Sequence, residues 1–368
     1  MYDITVIGLG PAGAMLCRLL DPHFRVLALD KKQARTPTRD AHVEHRQSAG
    51  HTPAGFQKPC GGLIAPDAQK ALSRCGLTLP KEVLAHPQIF TVRTIDTAAN
   101  LNRHYQRMYL NVDRHRFDCW LMAQIPLAVE VHSGVVCTRI SPVDGGGYEV
   151  AWLEQGEEKT ANTRLLVGAD GANSLVRRML YPRLHIRTYL AIQQWFEDKH
   201  PTPFYSCVFD RGITDCYAWG LSKDGRFLFG GAFRKKTAKA DFAALKAKLA
   251  PHGFALLDPL QTEACLVLRP AGLLDTRSGK NNAFLLGEAA GFISPSSLEG
   301  ISYALNSAQK LASTLNHAGG NRQYFCATLP IRLKLLAKNL KSPFLYHPLL
   351  RKLVMRSGLR AVSIWTEK

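Results

Sequence analysis

Three glycines near the N-terminus have the spacing of a turn that binds a phosphate group. The segment Gly8-Leu9-Gly10-Pro11-Ala12-Gly13 reads G-x-G-x-x-G and lies between two apolar runs. In a dinucleotide-binding unit, Gly8 makes the tight turn, Gly10 lets the backbone approach the pyrophosphate, and Gly13 lets the helix pack closely on the strand. The alternative is a surface turn that uses glycine for positive φ. The apolar runs on either side favour the nucleotide site.

The segments around this motif predict a βαβ unit. We expect a buried strand at Asp3–Ile7, a helix at Ala14–Leu20 and a second strand at Arg25–Asp30. Asp30 would end the second strand, where a carboxylate can accept hydrogen bonds from the adenosine ribose hydroxyls. We therefore assign Asp30 to the nucleotide site, together with its neighbour Lys31 and with Pro11 and Ala12 of the turn.

A later acidic residue also follows an apolar strand. The strand predicted at Ala283–Leu286 would deliver Glu288 to a turn of small residues, where the acid can hold a ribitol hydroxyl. Gly300 and Ile301 then open a helix whose free N–H groups can stabilise negative charge on a flavin. The alternative is an ordinary strand-to-helix connection that contains glycine.

Three further segments resemble motifs of one flavoprotein superfamily. They resemble the Asp-Gly motif, the Gly-Asp motif and the Arg-containing helix start of single-Rossmann flavoprotein hydroxylases and geranylgeranyl reductases. The matching segments are Leu165–Ser174 with Val176 and Arg177, Ala283–Leu305, and Arg114-x-x-Phe117-Asp118. The resemblance implies bound FAD, with Arg114, Asp170, Gly171, Gly287 and Glu288 at the cofactor. Glu288 stands where the family has Asp.

Two further segments resemble the geranylgeranyl reductase branch. Lys58–Leu63 is similar to a Pro-x-x-Cys-Gly-Gly-type segment beside the isoalloxazine ring, and Tyr217–Lys223 is similar to a Tyr-x-Trp-x-Phe-Pro-Lys strand that borders a prenyl cavity. The resemblance implies that Cys60, Gly61 and Gly62 lie at the flavin, with Cys60 as the catalytic residue. It also implies that Tyr205, Tyr217 and Trp219 line the substrate site. Leu221 and Ser222 replace the Phe and Pro of the strand.

Each of these assignments has a structural alternative. A single Cys such as Cys60 also serves as a small packing residue, and the aromatic residues would equally suit an ordinary core.

The activity implied by the resemblance is hydride transfer from flavin N5 to a carbon–carbon double bond of an isoprenoid-like or other apolar substrate. The sequence contains no second Rossmann fingerprint, so NAD(P)H would bind only transiently as the electron donor. An FAD-dependent monooxygenase that uses NAD(P)H and oxygen is the first alternative. A membrane-associated flavin-binding protein without turnover is the second. Substrate, donor and oligomeric state stay open.

Length and pattern predict an α/β protein of two lobes, in which a Rossmann-type FAD-binding domain is interleaved with a mostly antiparallel substrate sheet. The chain has 368 residues, of which 46% are hydrophobic. We predict FAD-binding parts at 1–87, 111–184 and 276–325, substrate-domain parts at 88–110 and 185–275, and a helical tail at 326–368. The strands expected in the substrate sheet are Ile89–Ile95, Leu190–Phe196, Ser206–Asp210, Cys216–Leu221, Arg226–Phe233 and Glu263–Leu268. Gly145-Gly146-Gly147 should be a hairpin turn.

The charge of the chain favours an anionic partner. Its 47 Lys and Arg exceed its 29 Asp and Glu, which gives a net charge of +18. The tail interleaves leucines with Arg332, Lys334, Lys338, Lys341, Arg351, Lys352, Arg356 and Arg360, as an interfacial helix on anionic lipid does. The alternative is a packed helix with a solvated basic face. Without a recognised nucleic-acid module, we expect no nucleic-acid partner.

Nine scattered cysteines and the lack of a signal-like or membrane-spanning run favour a cytoplasmic protein, with the tail as a route to the inner face of the membrane. A polar stretch at Gln33–Gln57 should be an exposed loop. Its histidines His42, His45 and His51 are not accompanied by a Cys or carboxylate pattern, so we predict no metal site.

Overall fold

The computed structural model describes residues 1–33, 58–200 and 204–365. The predicted exposed loop, apart from Gln33, lies outside these residues, as do its three histidines. None of the helices in the described ranges combines the length and the apolar character needed to cross a bilayer.

The secondary structure follows in chain order. The strands are β1 Tyr2–Ile7, β2 Val26–Asp30, β3 Leu63–Ile64, β4 Ile89–Asp96, β5 Leu101–Asn111, β6 Glu130–Ser133, β7 Val136–Pro142, β8 Tyr148–Glu154, β9 Glu157–Gly168, β10 Thr188–Glu197, β11 Tyr205–Phe209, β12 Ala218–Lys223, β13 Arg226–Arg234, β14 Gln261–Leu268, β15 Gly279–Lys280, β16 Ala283–Leu285 and β17 Ala361–Val362. The helices are α1 Pro11–Leu19, α2 Pro66–Arg74, α3 Arg114–Met122, α4 Leu175–Leu180, α5 Ala238–Lys248, α6 Ile301–Asn316, α7 Asn321–Ala327, α8 Leu329–Tyr346 and α9 Pro348–Ser357.

The first lobe is built on a sheet whose central strands are parallel. Its order is β15-β16-β9-β1-β2-β6, and the β7–β8 hairpin joins the outer half of the long β9. The predicted βαβ unit is present as β1-α1-β2, although α1 begins at Pro11 rather than Ala14. A proline at the first helical position lacks only an N–H that would have no intrahelical partner. Because β1, β2, β9 and β16 are parallel, their carboxyl ends meet at one edge of the sheet.

The second lobe is a nine-stranded sheet that is antiparallel at nearly every pairing. Its order is β14-β10-β13-β12-β11-β4-β5-β17, with β3 on β5 and with β11 parallel to β4. All six strands expected from apolar alternation belong to this sheet. The strand β5 is not apparent in the sequence pattern, because most of its side chains are polar and only part of it is buried. The predicted α/β architecture with a mostly antiparallel second lobe is thus confirmed.

The helical tail packs against both lobes. Ile331 and Leu335 of α8 enter the core of the first lobe, and Tyr346 at the end of α8 enters the core of the second. Glycines Gly145 to Gly147 form the predicted turn between β7 and β8, each with positive φ.

Two of the basic tail residues do not lie on a solvated face, so the expectation of one continuous basic surface is wrong at these positions. Arg332 and Arg351 are buried. Arg332 Nη1 donates to Thr276 O at 3.1 Å, and Arg351 Nε donates to Asp96 Oδ2 of β4 at 2.7 Å. A guanidinium can be buried where such acceptors replace water.

Replacing Arg351 with Met should lower the free energy of unfolding by roughly 3–5 kcal/mol, because Asp96 would keep a buried charge without its partner. Urea denaturation of the parent and the variant measures this difference. Lys352→Met removes the same charge at the next, partly exposed position and is the matched control. Equal stability of the two variants would contradict a structural role for the Arg351–Asp96 pair.

Candidate active site

The glycine-rich turn between β1 and α1 contains one glycine whose missing side chain leaves open space. A Cβ on Gly13 would lie 1.9 Å from Gly8 O, and a Cβ on Gly8, whose φ is +96°, would lie 2.6 Å from Ala169 O. These two glycines are required by protein packing. A Cβ on Gly10, in contrast, would meet no described atom within 4 Å. The space beside Gly10 is the place where a pyrophosphate would approach the backbone.

Asp30 ends β2 beside this turn and is almost fully buried. Its Oδ1 accepts a hydrogen bond from Lys32 N at 2.6 Å, and its Oδ2 accepts one from Leu9 N. The carboxylate therefore holds the glycine turn against the end of β2, and its remaining lone pairs suit ribose hydroxyls. Lys31 is exposed directly after the strand.

Arg114 is the first residue of α3, as predicted, and it is held by an acid that the sequence motif contains. Arg114 Nε donates to Asp118 Oδ1 at 2.9 Å, and Lys32 Nζ contacts the other oxygen of the same carboxylate. Burial would raise the pKa of Asp118, but the two cations overcome it and lower that pKa to about 2. Asp118 thus stays ionised and fixes Arg114 beside Cys60, whose thiol adds to the attraction.

Asp170 and Gly171 follow the carboxyl end of β9. Asp170 Oδ2 accepts from Leu175 N at 2.6 Å, while Oδ1 is buried with no hydrogen-bond partner among the described residues. Burial raises the pKa of this carboxyl. Arg177 of α4 donates through Nη1 to Ala289 O at 2.9 Å and so joins this segment to the turn that carries Glu288. An unpartnered buried oxygen is uncommon and is suited to a ligand donor.

Glu288 lies in a short 3₁₀ turn, Gly287–Ala290, after β16. Its Oε1 accepts from Leu268 N at 2.9 Å, and Lys58 Nζ contacts Oε2. Both oxygens thus have protein partners, and each keeps a further lone pair.

Gly300 is the N-cap of α6, and Ile301 is its first residue, as predicted. The neighbouring Glu299 accepts from Ser302 N at 2.7 Å, and burial raises the pKa of its carboxyl.

The Cys60-Gly61-Gly62 segment lies between the two lobes. Cys60 is partly buried, and its Sγ accepts from Gly62 N at 3.4 Å. Gly62 has a φ of +63°, and a Cβ there would lie 2.3 Å from Val112 O. A Cβ on Gly61 would lie 3.8 Å from Cδ1 of Trp219. The segment predicted to border the flavin ring is tied to the aromatic strand β12 by Lys223, whose Nζ lies 3.4 Å from Gly62 O.

Tyr205, Tyr217 and Trp219 form one buried cluster, as their assignment to one site requires. Tyr205 OH donates to Tyr217 OH at 3.4 Å, and the rings of Tyr217 and Trp219 have centroids 5.8 Å apart. Tyr217 OH in turn donates to Ser297 O at 2.6 Å, which ties the cluster to the segment before α6. Burial raises the pKa of both phenols, so both stay protonated. Trp219 Nε1 is buried without a partner among the described residues.

Lys223 is a buried cation at this site that sequence reasoning named within a motif without giving it a role. Its Nζ donates to Asn111 Oδ1 and to Val112 O, both at 2.6 Å, and lies 3.4 Å from Gly62 O. Burial lowers the pKa of Lys223 to about 8, against a smaller opposing effect of Cys60. The lysine fixes the Gly62 backbone to the end of β5. Its place beside a positive-φ glycine is a tertiary property that no local pattern shows.

The residues at this edge fit FAD. The open space at Gly10 suits the pyrophosphate, Asp30 suits the adenosine ribose, and Asp170 offers an unpartnered buried oxygen. Glu288 contacts Lys58, two residues before Cys60. A path of contacts thus runs from Gly171 through Arg177 and the turn of Glu288 to Lys58.

This fold and this path of contacts define a class, the FAD-dependent oxidoreductase fold. A geranylgeranyl bacteriochlorophyll reductase-like protein from Thermoplasma acidophilum matches with a TM-score of 0.74 over 95% of this chain and 87% of that one, at 16% identity. PqsL, a probable FAD-dependent monooxygenase from Pseudomonas aeruginosa, gives 0.69 over 97% and 99%, at 15% identity. The flavin-dependent halogenase CmlS gives 0.64 over 94% and 62%, at 17% identity.

Within this class the chain belongs to the CbrA family. It is 51% identical to Protein CbrA of Escherichia coli O157:H7 over 360 residues, which cover 97% of each chain. The identity to Protein CbrA of Shigella sonnei strain Ss046 is also 51% over the same length. No protein-family model matches the chain. The fold expected from the resemblance to geranylgeranyl reductase-type flavoproteins is confirmed.

Gly10→Val should reduce FAD affinity by at least roughly 100-fold, or about 2.7 kcal/mol, because the new side chain would fill the space that a pyrophosphate needs. Gly272→Val is the matched control, since a Cβ at Gly272 also meets no described atom within 4 Å but lies far from the glycine turn in sequence. Fluorescence titration with FAD measures the affinity, and thermal unfolding without FAD checks that both variants fold. Parental FAD affinity in folded Gly10→Val would remove the turn from the site.

The stability of the parent relative to Lys223→Met should rise with pH above about 8. In the folded protein Lys223 loses its proton near this pH, whereas in the unfolded chain a lysine keeps it to about 10.4. The unfolded state then binds more protons, so each pH unit in this window adds up to about 1.4 kcal/mol. Urea denaturation of both proteins at several pH values measures the difference. Lys236→Met, at an exposed position, should give no such slope, and a flat difference for Lys223→Met would contradict the prediction.

Proposed function

We propose that the protein is an FAD-dependent oxidoreductase that reduces carbon–carbon double bonds of an isoprenoid-like or other apolar substrate. The observation that carries this proposal is the contact between Gly62 O and Lys223 Nζ, which holds the Cys60-Gly61-Gly62 segment beside the strand of Trp219. It joins the end of the predicted cofactor path to a buried aromatic cluster. A substrate on that cluster would lie against the part of the site where the flavin ring is expected.

The chain's own residues would bind and orient the cofactor. When bound, FAD would supply the hydride that a double bond accepts. Gly10, Asp30, Asp170 and Glu288 would hold its phosphate, ribose and ribitol groups. The N-terminus of α6 would stabilise negative charge near the ring, since its first N–H groups lack intrahelical partners.

The substrate class is argued from the buried aromatic cluster. The phenols of Tyr205 and Tyr217 are protonated and already hydrogen-bonded, so the cluster offers apolar faces and excludes water. The unpartnered Trp219 Nε1 supplies one donor for a polar group of the substrate. Leu221 and Ser222 replace the Phe and Pro of the reductase strand, so the proposal does not specify the length or branching of the substrate's apolar chain.

When a hydride adds to one carbon of the double bond, the other carbon must receive a proton. Two groups are candidates for its donor. The Cys60 thiol lies within the segment at the junction of the lobes. Glu299 lies at the start of α6, and its raised pKa increases the fraction of the acid form near neutral pH. We assign the proton to Cys60, because this thiol belongs to the segment that Lys223 holds beside the strand of Trp219.

A monooxygenase is the second candidate, and the likeness of the fold to PqsL supports it. A hydroxylase and a reductase would use the same contacts to FAD, so the reaction must be read from its product. NAD(P)H is the proposed transient donor for either reaction.

Product mass distinguishes the two reactions. FAD-loaded protein is incubated with NADH or NADPH and a polyprenyl lipid, under argon and under labelled oxygen. We expect a gain of two hydrogens under both gases, and Cys60→Ser should slow that reduction by roughly 100-fold while leaving FAD bound. Cys326→Ser, at an exposed cysteine, is the matched control.

Incorporation of labelled oxygen would establish the monooxygenase instead. Tight FAD binding without conversion of the substrate, whether the FAD is reduced by a nicotinamide or by dithionite, would favour the flavin-binding protein without turnover. If Cys60→Ser turns over at the parental rate, the proton comes from another group.

A further inference from the structure

The tail helices α8 and α9 carry large apolar side chains on their outer surface. Leu333, Leu340, Phe344, Leu349 and Leu353 are between 57% and 70% exposed. In α8 the first three are spaced by seven and four residues, and in α9 the last two are spaced by four, so each helix presents its members on one face. We call these five residues the apolar stripe. Ile331 and Leu335 of α8 point instead into the first lobe.

The charged tail residues near the apolar stripe are all basic. The chain contains no Asp or Glu between Glu299 and Glu367. Lys341, Arg356 and Arg360 are exposed near the stripe, and Lys352 is partly exposed. Arg332 and Arg351 are hydrogen-bonded inside the protein, and Lys334 contacts Asp67. These three cations are therefore not counted among those available to a partner.

We propose that this face docks on an anionic lipid bilayer, with the apolar stripe in the interface and Lys341, Lys352, Arg356 and Arg360 among the headgroups. Exposed leucines lose contact with water on insertion, at about 25 cal/mol per Å² of apolar area. Flanking cations add an attraction to anionic headgroups that falls with salt. These are the two contributions that hold an interfacial helix in place.

A second copy of the chain is a poorer occupant of the same face. Bringing two such faces together would place their four cations against each other without an acid in either segment to pair with them. An anionic bilayer, in contrast, is complementary to the face in both apolar character and charge.

Hydrogen bonds connect the end of α8 to the aromatic cluster. Phe344 belongs to the apolar stripe, whereas Tyr346, two residues later in α8, is buried and donates to Ser296 O. The adjacent Ser297 O accepts from Tyr217 OH at 2.6 Å. If the proposed function is right, on which this step rests, a lipid substrate would leave the bilayer beside α8 and reach Tyr217 without crossing water.

Cosedimentation with vesicles tests the docking face on the full, FAD-loaded protein. Vesicles of phosphatidylglycerol and phosphatidylcholine should bind the parent, with affinity falling as salt rises, and pure phosphatidylcholine should bind it poorly. One variant changes Leu340, Phe344, Leu349 and Leu353 to Gln, and a second changes Lys341, Lys352, Arg356 and Arg360 to Gln. Each should weaken binding by at least about tenfold, with FAD content unchanged.

Matched controls lie elsewhere on the protein. Leu127, Leu257, Leu260 and Leu274 are exposed leucines outside the tail, and Arg211, Arg226, Lys236 and Lys239 are exposed cations of the second lobe. Changing either set to Gln should leave vesicle binding at the parental level. Binding that survives both tail variants, or that falls equally in the controls, overturns the proposal. Concentration-dependent dimerisation through the stripe without vesicle binding also overturns it. Because vesicle binding is measured without turnover, its outcome is separate from that of the reductase test.

Discussion

The close approach of backbone at the glycine turn is the constraint on which the rest of the site depends. Gly13 packs so tightly on Gly8 that no side chain fits between them, and Gly8 packs with similar closeness on Ala169 at the end of β9. These contacts fix the N-terminus of α1 against the carboxyl ends of two parallel strands. Asp30 ends β2 and Asp170 follows β9, the strands on either side of β1, so both carboxylates lie at the edge of the sheet that carries the glycine turn.

Hydrogen bonds between segments that are far apart in sequence connect the glycine-turn side of the first lobe to the second lobe. Arg177 joins the Asp170 segment to the turn of Glu288, Tyr217 joins the aromatic strand to the start of α6, and Lys223 joins β12 to Gly62. Each group is buried, so its hydrogen bonds cannot be exchanged for water at low cost. The Cys60-Gly61-Gly62 segment is thereby held beside the aromatic strand.

Local pattern predicts the parts of this arrangement that local physics determines. The βαβ unit, the six strands of the second lobe and the start of α6 follow from apolar alternation and glycine spacing, whereas the start of α3 comes from the family resemblance. Local pattern does not predict contacts between residues that are far apart in sequence. Arg351 bonds to Asp96 across 255 residues, and Lys223 bonds to Asn111 across 112, so both looked like ordinary surface or motif residues in the sequence. The number of basic residues in the tail likewise overstates its solvent-exposed basic surface, because two of its arginines are buried and hydrogen-bonded inside the protein.

The glutamate that replaces the family's aspartate shows how such a departure is accommodated. The longer arm lets Glu288 accept from Leu268 N, at the end of β14, while its second oxygen contacts Lys58. An aspartate at this position would fall about one methylene short of that strand. Glu288 therefore connects the cofactor turn to the second lobe and to the segment that leads to Cys60. A ligand that adds a hydrogen bond to this carboxylate would therefore contact a group that both lobes hold in place.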